Sequence, residues 1–155
     1  MNLDEAAARA LAPAYELAKE HRKLVYALEI LAESAADAAE KAAVLKRAAQ
    51  IHAVDLRQGE LAFATLARAL RLVPTDAQLR VATRKAAEEC DSLDAYAEIL
   101  GESAEGAPGV QAVPLLRELA EVCERKLADR DRAVEAYRRI LELDPDNLDA
   151  LRGLH

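Results

Sequence analysis

The sequence predicts an all-α protein made of helical hairpins that pack against one another in series. Ala and Leu supply 60 of the 155 residues, and both favour helix over strand. β-Branched and aromatic residues are few, so strands are not expected to organise the fold. Sliding the chain along itself by 71 residues superposes apolar, small and breaker positions, including Leu45 on Leu116 and Pro74 on Pro145. Such a repeat is typical of stacked units that bury one another's faces.

Apolar residues at helical spacing predict eight helices and the start of a ninth. Leu24, Leu28 and Leu31 form one such stripe. The predicted helices span residues 4–19, 22–34, 37–56, 60–72, 76–89, 92–103, 113–127 and 131–143, and the ninth begins at Leu148. They pair into hairpins at 3–35, 37–74, 75–104 and 110–145, with a partial helix at 147–155. We expect a single repeat domain over residues 1–155.

Proline and capping residues explain several predicted helix ends. Pro74 and Pro145 cannot continue a helix and displace the preceding residue from the α region. Asp76 and Asn147 follow them and offer side-chain oxygens to the first amides of the next helix. Pro13 lies inside a predicted helix, so this helix is expected to kink there or to begin there after a separate short turn.

A second internal similarity relates the other two hairpins. Residues 26–35, YALEILAESA, resemble residues 95–104, AYAEILGESA, at an offset of 69. The difference between the two offsets is assigned to residues 106–114, where glycines and prolines predict the clearest loop in the chain. The repeating unit is therefore two hairpins of about 35 residues each, in which alternate hairpins are degenerate.

The segment 127–147 resembles the second helix and closing boundary of a tetratricopeptide repeat (TPR). In that family a small residue, an aromatic residue, a small or apolar residue and a Pro recur at this spacing. This segment supplies them as Ala133, Tyr137, Ile140 and Pro145. The earlier copy has Ala62, Leu66, Ala69 and Pro74. The resemblance implies a right-handed superhelix, or solenoid, of about four antiparallel hairpins plus the start of a further helix.

The resemblance also implies a binding surface on the concave face, which the first helix of each hairpin lines in this family. If Leu45, Leu79 and Leu116 lie in the core, the neighbouring polar side chains point towards that face. These are Lys46, Gln50, Arg80, Arg84, Arg117 and Glu121. Four of the six are basic, which favours an acidic peptide or a C-terminal carboxylate. The alternative is that they are ordinary solvated helix positions, and the paired Lys and Asn of carboxylate-clamp TPR proteins are not reproduced.

Composition excludes several functional classes. The net charge of −7 and the pI near 5.1 argue against nucleic-acid binding. The N-terminal Asp4 and Glu5 do not fit a secretory signal, and no apolar run reaches the length of a membrane span, so we expect a cytoplasmic protein. No catalytic, cofactor or metal motif is present. His52 is interpreted as a packing residue. Cys90 and Cys123 are interpreted as reduced, packed thiols, with a disulfide as the alternative.

The sequence thus favours a non-enzymatic module that binds a protein or peptide through its concave face. The alternative is a structural spacer or self-assembly module of a larger multi-repeat protein, which associates through exposed terminal helices. Residues 2–4, Asn-Leu-Asp, also match residues 147–149. This match leaves two interpretations open: a segment of a longer array, or a small protein whose final helix caps the stack.

Overall fold

The computed structural model describes residues 3–155, which form nine α-helices and no strand. The helices are α1 (Glu5–Leu17), α2 (His21–Glu33), α3 (Ala38–Val54), α4 (Gly59–Leu72), α5 (Ala77–Glu89), α6 (Leu93–Gly106), α7 (Val113–Arg125), α8 (Arg130–Leu143) and α9 (Leu148–Gly153). Every helix lies within three residues of its predicted bounds. The predicted all-α fold is confirmed.

The chain divides into two compact units. The first unit ends at Cys90 and contains α1 to α5, and the second begins at Asp91 and contains α6 to α9. Within each unit, every helix packs against the next one in the chain. The predicted hairpins 3–35, 37–74 and 110–145 are therefore antiparallel helix pairs. The third predicted hairpin, 75–104, consists of α5 from the first unit and α6 from the second.

Small residues at the helix contacts allow close packing. In the first unit, Ala8, Ala27 and Ala48 of three successive helices are all fully buried, and Leu28 fills the space beside them. A methyl group in place of a larger side chain lets neighbouring helices approach closely while interior density stays high. The abundance of alanine in the sequence therefore serves packing as well as helix propensity.

The same backbone conformation marks the turn after α1, α3, α5 and α7. Each turn contains one non-glycine residue in the left-handed region: Lys19, Arg57, Asp91 and Ala128, with φ between 51° and 56°. The turns after α3 and α7 also share their hydrogen bonds. The amides of Leu56 and Leu127 donate to the carbonyls of Ile51 and Val122. The turns after α3 and α7 are thus alike in detail.

The predicted 71-residue register holds for α3 and α4 against α7 and α8. Helix α4 begins at Gly59 and ends at Leu72, and α8 begins and ends 71 residues later at Arg130 and Leu143. Buried residues recur at the same offset, as the following pairs show: Leu45 and Leu116, Ala49 and Ala120, Ile51 and Val122, His52 and Cys123, Ala62 and Ala133, and Ala69 and Ile140. These segments are structural copies of each other.

The predicted offset of 69 between α2 and α6 is wrong. The buried residues of α2 match those of α6 at an offset of 72, as in Leu24 with Tyr96 and Leu28 with Leu100. The two turns that precede these helices, at Lys19 and Asp91, also differ by 72. The error of three residues is nearly one helical turn, so both registers place similar residues on the same face.

The predicted caps and breakers are confirmed, with three corrections. The side chains of Asp76 and Asn147 accept from the amides of Leu79 and Ala150, each at 3.0 Å. Helix α1, however, runs through Pro13 without a separate turn before it. Helix α6 extends to Gly106, and the predicted loop contains a 3₁₀ turn, Gly109–Ala112, whose first residue has φ of 51°.

The third correction concerns the match between residues 2–4 and 147–149. Asp4 caps α1 through the amide of Ala7, whereas Asn147 caps α9. The match aligned residue 2 with residue 147, but the capping residues are Asp4 and Asn147. Helix α1 therefore starts two residues later than the match implied. Asn2 lies outside the described residues.

A candidate binding groove and its filled counterpart

A groove in the first unit is the candidate binding site. Its volume is about 440 Å³, and it lies along α3, the first half of α4 and α5. The residues that line it are Lys46, Ala49, Gln50, Ala53, Val54, Gly59, Ala62, Leu66, Ala82, Lys85, Ala86 and Glu89. The volume falls in the range of about 300–1,000 Å³ that is usual for ligand pockets. We call it the first-unit groove.

The floor of the first-unit groove is apolar, and its charges lie on two helices. Five alanines and Leu66 supply most of the floor, and Val54, which is 66% exposed, adds an apolar side chain at the end of α3. Lys46 on α3 and Lys85 on α5 are exposed, and in the part of the chain that the structure describes neither forms an ion pair. Glu89 is the single acidic residue of the lining. The groove combines an apolar surface with a small excess of positive charge.

Two of the six predicted groove residues line this groove, and two charged residues of the lining, Lys85 and Glu89, were not predicted. Lys46 and Gln50 lie there. Arg80 does not line it and donates instead to the carbonyl of Pro74 at 2.9 Å, and Arg84 pairs with Glu88 on its own helix at 3.4 Å. Lys85 takes part in their place.

The geometry of neighbouring helices explains the difference. Helices α3 and α5 flank one groove, so they face it with opposite sides of their buried stripes. On α3 the groove is lined by residues that come directly after buried ones, such as Lys46 after Leu45. On α5 it is lined by residues that come directly before buried ones, such as Ala82 before Thr83. The sequence-based prediction took the residue after each core leucine as a groove residue, which is correct for α3 but not for α5. The spacing of Ala82, Lys85, Ala86 and Glu89 was a usable signal for the second.

The remaining two predicted residues, Arg117 and Glu121, lie in the second unit. They are the 71-residue counterparts of Lys46 and Gln50. Arg117 lies 3.8 Å from the carboxylate of Asp149 on α9. The position that holds an unpaired lysine in the first unit thus holds a paired arginine in the second.

The counterpart of the first-unit groove carries larger side chains. Where the groove has Ala53, Gly59 and Leu66, the second unit has Glu124, Arg130 and Tyr137, and the counterpart of Ala82 is Gly153. We call these four residues of the second unit the Tyr137 cluster.

Hydrogen bonds join the Tyr137 cluster. The Tyr137 hydroxyl donates to Glu124 at 2.7 Å, and Arg130 donates to Glu124 at 3.3 Å and to the Gly153 carbonyl at 2.8 Å. Burial, and then the bond to Glu124, raises the pKa of Tyr137 to about 12. A Cβ on Gly153 would lie 2.4 Å from the Tyr137 ring, so the ring lies directly against the α9 backbone. The space that is open in the first unit is occupied here.

The repeat-signature alanines are buried, and the repeat-signature prolines follow helix ends. Ala62 and Ala133 are 2% and 0% exposed, as close helix contact requires. Val73 and Asp144, before Pro74 and Pro145, lie outside the α region with ψ of 64° and 85°.

A second, smaller cavity of about 260 Å³ lies beside the first-unit groove and shares Gln50 and Val54 with it. Its charged residues and its histidine are paired. Arg47 bonds Glu16 at 2.7 Å, and His21 lies 3.7 Å from Asp55. This cavity therefore offers fewer unpaired charges to a ligand than the first-unit groove does.

Residues that could carry chemistry have structural roles. His52 is buried and its Nδ1 lies 2.9 Å from the side-chain oxygen of Gln58, which fits its interpretation as a packing residue. Cys90 and Cys123 are not joined in a disulfide, and burial raises the pKa of the Cys123 thiol. Over residues 3–155 no cluster of His, Cys, Asp or Glu could hold a metal ion. No helix in that same range is long and apolar enough to cross a membrane.

Comparison with known proteins gives matches among solved structures alone. No family model matches the chain, and no curated protein does. A MamA protein is 14% identical with a TM-score of 0.48, and the match covers 97% of this chain and 78% of that one. YrrB, a TPR protein with an unusual peptide-binding site, is 19% identical with a TM-score of 0.46, over 96% and 73%. The pilF protein of Pseudomonas aeruginosa is 14% identical with a TM-score of 0.46, over 96% and 65%.

The class of this protein follows from its own helices. Antiparallel helix pairs, left-handed turns between them, buried alanines at the signature positions and prolines after every second pair together define a TPR-like helical repeat protein.

Proposed function

We propose that this protein is a non-enzymatic interaction module that binds a peptide segment of a protein partner in the first-unit groove. The observation that supports this is the pair of lysines, Lys46 and Lys85, that lie without ionic partners beside an apolar floor. An apolar floor supplies affinity, and charges beside it select the sign of the partner. The expected partner is acidic, and we expect it to bind on the concave face of the predicted superhelix.

Selection from a random peptide library tests this proposal. Peptides enriched on the wild-type protein should carry net negative charge, and their affinity can be measured by fluorescence anisotropy. Lys46→Glu with Lys85→Glu should weaken binding by tenfold or more, because both sites of attraction become repulsive.

A matched control carries the same change in net charge elsewhere. Arg22→Glu with Lys126→Glu alters two exposed cations outside the groove and should leave affinity within about twofold at moderate salt. Equal binding by the wild type and the Lys46/Lys85 variant would contradict the proposal, as would enrichment of neutral or basic peptides.

A second candidate function is self-association through the last helix. Leu148 and Leu151 of α9 are 64% and 39% exposed, which leaves an apolar edge on that helix. Light scattering over a concentration series measures this directly. If α9 mediates association, Leu148→Glu with Leu151→Glu should return the protein to a monomer. A wild type that stays monomeric at high concentration would exclude it.

A further inference from the structure

The two structural copies of the groove differ in what fills them, and the filled copy indicates what the open copy can take. We infer that the first-unit groove recognises an aromatic side chain of its peptide ligand together with a nearby carboxylate. This inference rests on the proposed function, since it names the chemistry of the ligand for the same groove.

The aromatic part follows from the Tyr137 ring. In the second unit this ring lies against Gly153 and its hydroxyl donates to Glu124. The counterparts of the residues around and including Tyr137 are Ala53, Leu66 and Ala82, and all three line the first-unit groove. Leu66 has no aromatic ring, and Ala53 has no polar side chain that could extend across the groove as Glu124 does in the second unit. The Leu66 side chain and the Ala82 methyl group take part of the space that the phenol ring fills in the second copy, and the open volume lies directly beside them.

The volume is sufficient for this occupant. An apolar cavity of about 150 Å³ can hold benzene, and the first-unit groove has about 440 Å³. The remaining space lies beside Gly59, which replaces the long side chain of Arg130 and leaves room for a peptide backbone. Aromatic rings also gain from nearby cations, and Lys46 and Lys85 are the cations of this lining.

The carboxylate part follows from Asp149. In the second unit this residue lies on α9 and places its carboxylate 3.8 Å from Arg117. The counterpart of Arg117 is Lys46, and the counterpart of Asp149 is Gln78, which has no charge. The first unit thus keeps the cation and lacks the internal anion. A carboxylate of the ligand can supply it.

Three synthetic peptides test the inference on the full chain. The first has one phenylalanine between pairs of aspartates, the second has alanine in its place, and the third keeps phenylalanine between pairs of lysines. Fluorescence anisotropy gives the affinities. We expect the first peptide to bind about tenfold or more tightly than either of the others, since a buried aromatic anchor is typically worth at least that factor.

A closing variant tests the location. Ala53→Glu, Leu66→Tyr and Ala82→Gly together install the counterparts of Glu124, Tyr137 and Gly153 in the first unit, and we expect this variant to abolish the preference for phenylalanine. The matched control, Ala64→Glu with Leu61→Tyr and Ala43→Gly, makes the same chemical changes at exposed helix positions outside the groove and should bind like the wild type. Circular dichroism verifies that both variants are folded.

A measurement on the unaltered protein covers the case in which the closing variant does not fold. With methyl-labelled alanine, the phenylalanine ring protons of the first peptide should show intermolecular nuclear Overhauser effects to the methyl groups of Ala53 and Ala82. Contacts to methyl groups outside the groove would overturn the inference.

The outcomes separate the two proposals. If Lys46→Glu with Lys85→Glu abolishes binding while the phenylalanine and alanine peptides bind equally, the groove is the binding site and the aromatic inference fails. If neither the lysine variant nor the closing variant affects a peptide that binds, the groove is not the site and both proposals fail.

Discussion

The first-unit groove and the Tyr137 cluster are the same piece of architecture with different contents. Both lie beside a second helix with a buried alanine, Ala62 or Ala133, and α4 and α8 have the same length. At three counterpart positions, small or medium residues in the first unit become Glu124, Arg130 and Tyr137 in the second. The difference shows that a repeat backbone fixes where a groove lies, while a few side chains on its floor decide whether it is open.

The buried positions of the two copies explain why the fold tolerates this difference. Leu45 and Leu116, or Ala49 and Ala120, keep the helix contacts unchanged. Ala53 and Gly59, two of the groove positions that differ between the copies, are exposed, so they can change size without moving the helices. Function in this chain can therefore vary at positions on which the fold does not depend.

The largest expected effect comes from overpacking the signature alanines. Ala133→Leu should lower the free energy of unfolding by about 1–3 kcal/mol, because Ala133 is fully buried between packed helices. Ala62→Leu should cost less, because Ala62 borders the first-unit groove and the added methyl groups can extend into it. Urea denaturation of both variants measures the difference. Equal losses would show that the groove gives Ala62 no extra room.

The contact between Gly153 and Tyr137 provides the next test. Gly153→Ala should destabilise by about 1–2 kcal/mol, because its Cβ would lie 2.4 Å from the ring. Adding Tyr137→Leu recreates the Leu66 and Ala82 pair of the first unit and should remove most of this cost. A double-mutant cycle by thermal unfolding measures the coupling.

Gly101→Ala is the control for the substitution itself. Gly101 lies inside α6, and its added Cβ would meet Leu119 at an ordinary distance of 3.8 Å. This change should stabilise the protein by about 0.5–1 kcal/mol, since glycine inside a helix is unfavourable. If both glycine variants lose stability, close contact with Tyr137 is not the cause of the first effect.

The raised pKa of Tyr137 predicts a dependence on alkaline pH. The folded pKa of about 12 exceeds the ordinary value of 10.0, so the folded protein retains a proton that the unfolded chain releases. The protonated Tyr137 hydroxyl therefore contributes to the free energy of unfolding below pH 10, and this contribution is lost as the pH rises towards 12. Tyr137→Phe should reduce the loss of stability over this window, and difference absorbance of tyrosinate should identify Tyr137. An unchanged pH profile in the variant would contradict the role of this hydroxyl.

The smallest expected effect concerns the left-handed turns. Arg57→Gly and Ala128→Gly should each stabilise by about 0.5–1 kcal/mol, because glycine adopts positive φ without strain, at a partly offsetting entropic cost. Because the two turns share their hydrogen bonds, the gains should be similar. Asp91→Gly should gain less, since Asp tolerates this conformation. Thermal unfolding of the three variants tests whether the copies are energetically as well as geometrically equivalent.

Much of the fold could be predicted because it depends on local and periodic signals. Helix ends followed from prolines and caps such as Pro74 and Asp76, and the 71-residue register followed from buried residues that recur. The α2 and α6 register was missed because a shift of three residues keeps a helix face nearly unchanged. Part of the groove was missed because the sequence does not show on which side of α5 helix α3 lies. That arrangement decides whether Lys85 or Arg84 faces the groove.

The sequence by itself determined the helices and their ends, because each of these depends on neighbours within a turn or two. The tertiary structure alone decided which counterpart groove is open. That outcome requires Tyr137 to meet Gly153 and Glu124, and Lys46 to lack the anion that Arg117 finds in Asp149. These residues come from different helices, and only packing brings their side chains together.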